Sequence, residues 1–220
     1  VSQPRRLLIA TGSAHKLAEL RALLALPGTD IVSLADLGLA DDAPEEGASF
    51  IENASSKAVH YSAASGLLTL ADDSGLEVDA LDGRPGVYTR RFAGPDATDD
   101  DNNAYLLQLL SDVPIERRTA RYRCVLVLAQ PIPNGALLEE ATEGVFEGRI
   151  ALEPRGEGGF GYDPIFEPAS EPLGGRTVGQ LSREEKNAVS HRAIAAGQMR
   201  ELLLGREAQP GRRARPGREA

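Results

Sequence analysis

Cysteine is almost absent from this 220-residue chain, with Cys124 the only one. An internal disulfide is therefore excluded, and a lone thiol in an apolar run fits a reducing compartment. With three histidines and no second cysteine, the usual donors of a zinc site are too few. Positive charge is in deficit: 24 Lys and Arg stand against 33 Asp and Glu, a formal net charge of −9. A nucleic-acid duplex wants a broad basic face, so no nucleic-acid partner is expected. No apolar run approaches the roughly 20 residues that span a bilayer, and no signal peptide is evident. The expectation is a soluble, cytoplasmic protein with no membrane partner. The acid excess leaves room for small anions held by a few lysines in a cleft, and for magnesium on hard oxygen ligands.

Against that background the stretch from Ser182 to Arg192 stands out, because it gathers Lys186, Ser190, His191 and Arg192 within seven residues. Ser182, followed three residues later by Glu185, is a capping box, a local start signal for a helix. A solvated helix face with ordinary charges is the plain reading, and geometry sets a condition on any other. At about 100° per residue, one continuous helix would point Lys186, His191 and Arg192 to different sides. They converge only if a short first turn ends near Ser190, which then caps a main helix running through Ile194 and Met199 to Leu204. The free N–H groups of that second helix start would add to an anion or carbonyl site.

Residues 5–10 are a short apolar run ending in Thr11-Gly12-Ser13-Ala14-His15-Lys16, after which Leu17, Leu20, Leu23 and Leu24 repeat at helical spacing. Strand, glycine turn and helix aim backbone N–H groups at a phosphate, although the spacing is not that of a P-loop or dinucleotide fingerprint. Residues 31–34 read as a second strand, and 41–47 as a polar loop carrying Glu45 and Glu46. A helix over 49–65 carries Phe50, Ala54, Ala58 and Tyr61 on one face. Asn53 and Lys57, four apart on another face, can reach one ligand. Residues 67–71 read as a buried strand closed by Asp72-Asp73-Ser74-Gly75, with 76–81 a further strand and 82–86 a turn. The acid-rich helix start at 96–101 reads as structural, since negative charge there suits the helix dipole. Residues 121–129 and 141–151 are strands, the first with Cys124, Leu126 and Leu128 alternating against Val125 and Val127. Residues 156–164 are a glycine-rich loop with Phe160, Tyr162 and Asp163. Residues 205–220 hold Arg206, Arg212, Arg213, Arg215 and Arg218 among proline and glycine and read as a flexible tail, leaving 1–204 as one domain. Interleaved strands and helices, with consecutive strands over 100–150, predict an α/β fold on a mixed sheet.

Adjacent strand residues point to opposite faces, so at most one of Asp72 and Asp73 faces a site. Glu45 and Glu46 divide in the same way. One carboxylate from each place suffices for magnesium, with waters and a substrate phosphate completing the shell. Lys16, Lys57 and Lys186 lie at or near turns and helix starts, where ordinary surface lysines are common. Together with the 11–16 loop they are enough to neutralise a triphosphate. The glycines around Phe160 and Tyr162 allow a ring to lie open to a base, core packing being the alternative. No nucleophile elbow or triad signature is present.

Six segments then occur in order: Thr11-Gly12-x-x-x-Lys16, Phe50-x-Glu52-Asn53-Ala54, Ala71-Asp72-Asp73-Ser74-Gly75, Pro85-Gly86-Val87-Tyr88, Gly159-Phe160-Gly161-Tyr162-Asp163-Pro164 and Lys186-x-x-x-Ser190-His191-Arg192. In this order the chain resembles the inosine triphosphate pyrophosphatase family, the house-cleaning dITP/XTP pyrophosphatases. The resemblance implies an elongated α/β fold around a long mixed sheet flanked by helices, an active cleft between two lobes, and a homodimer. It implies magnesium-dependent hydrolysis of a purine nucleoside triphosphate (ITP, dITP or XTP) to the monophosphate and pyrophosphate. It carries Asp73 over as the general base or metal-side acid, and Glu45 as a metal ligand beside it. Thr11, Gly12, Ser13, Ala14, His15, Lys16 and Ser74 fall on the phosphate and ribose side, and Asn53, Lys57 and Arg91 among the substrate-binding positions. Phe160, Gly161, Tyr162 and Asp163 fall on the base, as do Lys186, Ser190, His191 and Arg192. Two positions depart from the family pattern: Ser13 stands where Asn is usual, and Arg90 where a small residue is usual. A Maf-like pyrophosphatase acting on pyrimidine nucleotides is a second reading, opposed by the 160–163 loop and by Ser190-His191-Arg192. A nucleotide-sensing module without turnover is a third, opposed by the acidic pairs.

Overall fold

The computed structural model describes residues 5–40 and 43–208. Its strands are β1 (Arg5–Ala10), β2 (Thr29–Ser33), β3 (Leu68–Val78), β4 (Thr119–Ile132), β5 (Gly135–Ile150) and β6 (Phe166–Pro168). They form one six-stranded sheet in the order β2-β1-β3-β4-β5-β6. β1 pairs parallel with β2 and β3, and the remaining neighbours pair antiparallel. The sheet is mixed because helices separate the first three strands, whereas β4 and β5 follow each other directly through a hairpin.

Five α-helices accompany it: α1 (Ala14–Leu24), α2 (Phe50–Ser65), α3 (Asp99–Leu109), α4 (Arg183–Val189) and α5 (His191–Ala208). The alternation in β4 divides the core between two faces. Cys124, Leu126 and Leu128 pack with Leu7, Ile9 and Leu70 under Leu20 and Leu24 of α1 and Ala195, Ala196 and Met199 of α5. Val125 and Val127 turn the other way, with Leu8 and Ala71, and meet Phe50, Ala54, Ala58 and Tyr61 of α2. A third cluster lies farther along the long strands, where Leu76, Val78, Tyr122 and Phe146 meet Leu106 of α3 and Phe166. β3, β4 and β5 thus carry one lobe into the next, and the cleft opens between them.

One expectation about the sheet is corrected. Asp72-Asp73-Ser74-Gly75 does not close a strand, because β3 runs unbroken from Leu68 to Val78 along an uninterrupted antiparallel register with β4. Gly75 marks a close approach and not a turn: a Cβ there would lie 2.5 Å from the Gly86 carbonyl oxygen and 2.9 Å from the Phe50 ring. The last helix also runs past Leu204 to Ala208, and Arg206 pairs with Glu139 of β5. Most of the tail read from the sequence, with Arg212, Arg213, Arg215 and Arg218, lies outside the described residues. No helix among the described residues is long and apolar enough to cross a membrane.

Candidate functional site

One corner of the site is built where β1 ends and α1 begins. Ser13 has extended backbone, and its hydroxyl accepts the Lys16 N–H at 3.4 Å, capping α1. The Thr11 hydroxyl accepts the Ser13 N–H at 3.2 Å. The departure at Ser13 keeps an N-cap, since serine and asparagine cap a helix equally well. Lys16 Nζ lies 2.9 Å from Asp72 Oδ2.

Strand alternation separates the two aspartates. Asp72 is fully buried on the α1/α5 side, where Oδ2 also takes the Ser74 hydroxyl at 3.3 Å and faces Arg192 at 3.8 Å. Burial pushes its carboxyl up, but Lys16, Arg192 and Lys57 together hold it well below the usual carboxylate range. Asp73 points to the α2 side. There Asn53 donates to Oδ2 at 3.0 Å and Lys57 Nζ stands 3.7 Å from Oδ1, so the four-residue spacing on α2 brings both side chains onto one carboxylate. Burial pushes Asp73 above the ordinary carboxylate value, against the pull of Lys57 and Lys16 and the Asn53 hydrogen bond. Two neighbouring carboxylates with opposite shifts suit two tasks: a permanent anion that anchors cations, and a group able to accept a proton. Lys57 also donates to Glu45 Oε1 at 2.7 Å, which brings Glu45 to the same corner.

The break on which convergence depends is present at Ser190. α4 ends at Val189, Ser190 takes extended backbone, and α5 starts at His191. The Ser190 hydroxyl accepts the Ala193 N–H at 3.2 Å, and both bonds of the Ser182–Glu185 capping box form. The change of helix axis points Lys186 and Arg192 together: both reach Glu19 of α1, Lys186 at 3.1 Å and Arg192 through Nη1. Arg192 Nη2 donates to the Ser74 hydroxyl at 3.0 Å, while its Nε is buried with no hydrogen-bond partner among the described residues. Lys186 also donates to Asp163 at 2.8 Å and stands 4.4 Å over the Phe160 ring. His191 stacks on Tyr122 with centroids 4.8 Å apart, and its Nδ1 is buried with no hydrogen-bond partner among the described residues. Burial, then Arg192, Lys186 and Lys16, push the imidazole well below its ordinary value, so it is neutral.

The glycine-rich loop is held on several sides. Asp163 accepts the Phe160 N–H at 2.9 Å and the Tyr122 hydroxyl at 3.2 Å. The Tyr162 hydroxyl donates to the Thr89 carbonyl at 2.8 Å. Gly159 is needed here, since its φ of +77° is left-handed and a Cβ would lie 2.1 Å from Asp163 Oδ2.

These parts surround one cavity of roughly 380 Å³, within the range of small-molecule sites. Thr11 to Lys16, Glu45, Lys57, Asp73, Ser74, Arg91, Phe160 to Asp163, Lys186, His191 and Arg192 line it. Asn53 and Ser190 stand behind the lining, the first holding Asp73 and the second starting α5. Sequence reasoning missed Glu19, the shared partner of Lys186 and Arg192. Its signal was the three-residue spacing from Lys16, which puts both on one side of α1. It also missed Asp99, which lines the cavity and accepts the Gly161 N–H at 2.7 Å, so the acid-rich start of α3 is more than a helix signal.

Among the described residues no three His, Cys, Asp or Glu side chains gather into a metal cage. Glu45 and Asp73 do converge on one ammonium, that of Lys57, so a position between two carboxylates already selects a cation. Two carboxylates, with waters and phosphates supplying the other oxygens, are the donor set magnesium usually takes from a protein.

A model of the Ham1 family matches residues 7–202 of this chain. A dITP/XTP pyrophosphatase of Shigella flexneri is 49% identical over 200 residues, covering 91% of this chain and 96% of that protein. One of Xanthomonas oryzae pv. oryzae is 47% identical over 199 residues, covering 90% and 97%. Among solved structures, a HAM1 protein from Coxiella burnetii superposes with a TM-score of 0.80 at 38% identity, covering 91% of this chain and 99% of that one. With the same mixed sheet and agreement over nearly the whole described length, the chain belongs to the Ham1 family.

Proposed function

We propose that the protein hydrolyses deaminated purine nucleoside triphosphates (ITP, dITP and XTP) to the nucleoside monophosphate and pyrophosphate, removing them from the nucleotide pool. The observation that carries the reading is the polarity of the cavity described above. At one end Lys16 pairs with Asp72 and Lys57 stands by the Asp73 carboxylate, and at the other Phe160, Lys186 and Arg192 offer a ring and buried donors. The relatives named dITP/XTP pyrophosphatase support the substrate class.

In this reading Asp73 takes a proton from a water that attacks the α-phosphorus. A bond forms between the water oxygen and phosphorus, the bond to the bridging oxygen breaks, and pyrophosphate leaves. Lys16 and Lys57 neutralise the charge that builds on the phosphates. Glu45 and Asp73 would hold magnesium, which when bound polarises the phosphoryl oxygens. Lys186, His191 and Arg192 read the 6-oxo edge of the purine. Residues 1–204 act as one catalytic domain, and the tail beyond Leu204 is dispensable for catalysis. We further assign the protein to the cytoplasm, where a free buried Cys124 stays reduced, and to a homodimer, which light scattering tests.

The decisive experiment is incubation with ITP, dITP or XTP, with and without magnesium, followed by product identification. Monophosphate and pyrophosphate, formed only with a divalent ion, are expected. Nucleoside diphosphate and orthophosphate as first products would put attack at the γ-phosphorus and overturn the reading.

A further inference from the structure

We propose that His15 occupies the base-stacking face of Phe160 in the free protein and must leave when a purine enters. This rests on the reading of the cleft as a nucleotide site. The resemblance implies a place for His15 beside the phosphates, but its ring lies elsewhere. It stacks on Phe160 with centroids 5.2 Å apart and planes at 18°. Offset, nearly parallel rings at this separation are the arrangement an aromatic base would itself adopt on Phe160. An imidazole has the shape of the five-membered half of a purine, so the protein's own ring stands in for the ligand's.

The surroundings decide which partner yields. Phe160 is fixed through its backbone, since its N–H donates to Asp163 at 2.9 Å. The next residue, Gly161, donates to Asp99 at 2.7 Å, and its carbonyl accepts from Asn103 at 3.0 Å. Lys186, the cation over the same ring, is tied to Asp163 at 2.8 Å and to Glu19 at 3.1 Å. His15 is exposed on the first turn of α1, and among the described residues its ring has no hydrogen bond or ion pair besides the stack. A rotamer change of one exposed side chain is fast and leaves the backbone in place. The bicyclic purine covers more of Phe160 than imidazole does and wins the exchange. The cost of opening is common to every base, so the stack lowers affinity uniformly and does not choose among purines.

Binding of two probes to the full-length protein, inosine monophosphate and inorganic tripolyphosphate, tests the idea by calorimetry. Alanine is a good helix former, so His15→Ala leaves α1 intact. The variant is expected to bind inosine monophosphate about 2- to 10-fold more tightly, the factor a single aromatic pair supplies. Its affinity for tripolyphosphate, which has no base, is expected to stay the same. In a Phe160→Ala background, His15→Ala is expected to change nothing further. Unchanged or weaker inosine monophosphate binding by His15→Ala overturns the proposal, as does a loss of tripolyphosphate affinity, which would return His15 to the phosphate side. Wild-type protein that bound neither probe and released no pyrophosphate from ITP would overturn the nucleotide reading along with it. Pyrophosphate release with no tightening in His15→Ala overturns this inference alone.

Discussion

Glu19 on α1 and Arg192 at the start of α5 are 173 residues apart in sequence and form one buried ion pair, which Lys186 joins on the other carboxylate oxygen. One carboxylate therefore sets the position of both cations. Glu19→Ala would leave two buried positive charges without their shared partner, and breaking a buried pair typically costs about 3–5 kcal/mol. Urea denaturation is expected to report a loss of that order. A loss below about 1 kcal/mol would mean that Asp163 and Asp72 carry the two cations unaided.

Asp73→Asn is expected to keep the fold and lose about 10²–10⁴-fold in turnover, the usual cost of removing a positioned base. Amide and carboxylate have the same shape, and the new amide can turn its oxygen to the Asn53 Nδ2 donor while the Asn53 oxygen keeps the Gly47 N–H. Near wild-type turnover with an unchanged melting temperature would move the proton-accepting role elsewhere.

Arg192→Ala is expected to lower the ratio of kcat/KM for ITP over ATP. Both Nη atoms are engaged by Glu19 and Ser74, and Nε is the donor left with no hydrogen-bond partner among the described residues. An acceptor oxygen at the purine 6-position could satisfy such a donor, and an amino group could not. The mismatch is worth on the order of 1–3 kcal/mol, roughly tenfold to a few hundredfold. Equal losses on both substrates, assayed side by side, would make Arg192 a residue that only shapes the cleft.

His191 predicts a pH dependence of stability. Its folded value lies well below the ordinary imidazole value, because burial and neighbouring cations disfavour the charged form. Below pH ~6.5 the unfolded chain binds a proton that the folded protein refuses. The contribution is complete above that pH and falls as the pH drops, by up to about 1.4 kcal/mol per unit while the folded imidazole stays neutral. His191→Phe keeps a ring against Tyr122 and removes the titration. Its stability is expected to fall less than wild type between pH 6.5 and pH 5, measured by thermal melts. Parallel curves would assign the acid sensitivity to other groups.

Ending the chain after Ala208 is expected to leave ITP hydrolysis and melting temperature unchanged. Ending it after Leu204 also removes Arg206, which holds Glu139 of β5, and is expected to lower the melting temperature slightly. A large loss of activity in the first truncation would mean that the tail contributes to the site.

Local chemistry made much of this protein legible in advance. The 100° step per residue made convergence of Lys186, His191 and Arg192 conditional on a helix break near Ser190, and the alternation along β4 was plain in the sequence. Both rest on interactions within a few residues. The same locality misled at Asp72–Gly75, where residues that favour turns lie inside a long strand. A continuous ladder with β4 on one side, and Gly86 and Phe50 pressed against Gly75, outweigh that preference. Local rules were also silent on how each charge is used. Asp72 and Asp73 are adjacent and chemically identical, yet one is held ionised among Lys16 and Arg192 while burial raises the other beside Asn53 and Lys57. Glu19 looks like any helix glutamate until α5 brings Arg192 against it. The sequence by itself determined which elements form and which residues face the same way, because backbone geometry and apolar periodicity are short-range. Only the tertiary structure decided which charges share a partner, which ring covers Phe160 and which aspartate burial raises. Those outcomes depend on burial and on contacts between segments far apart in the chain.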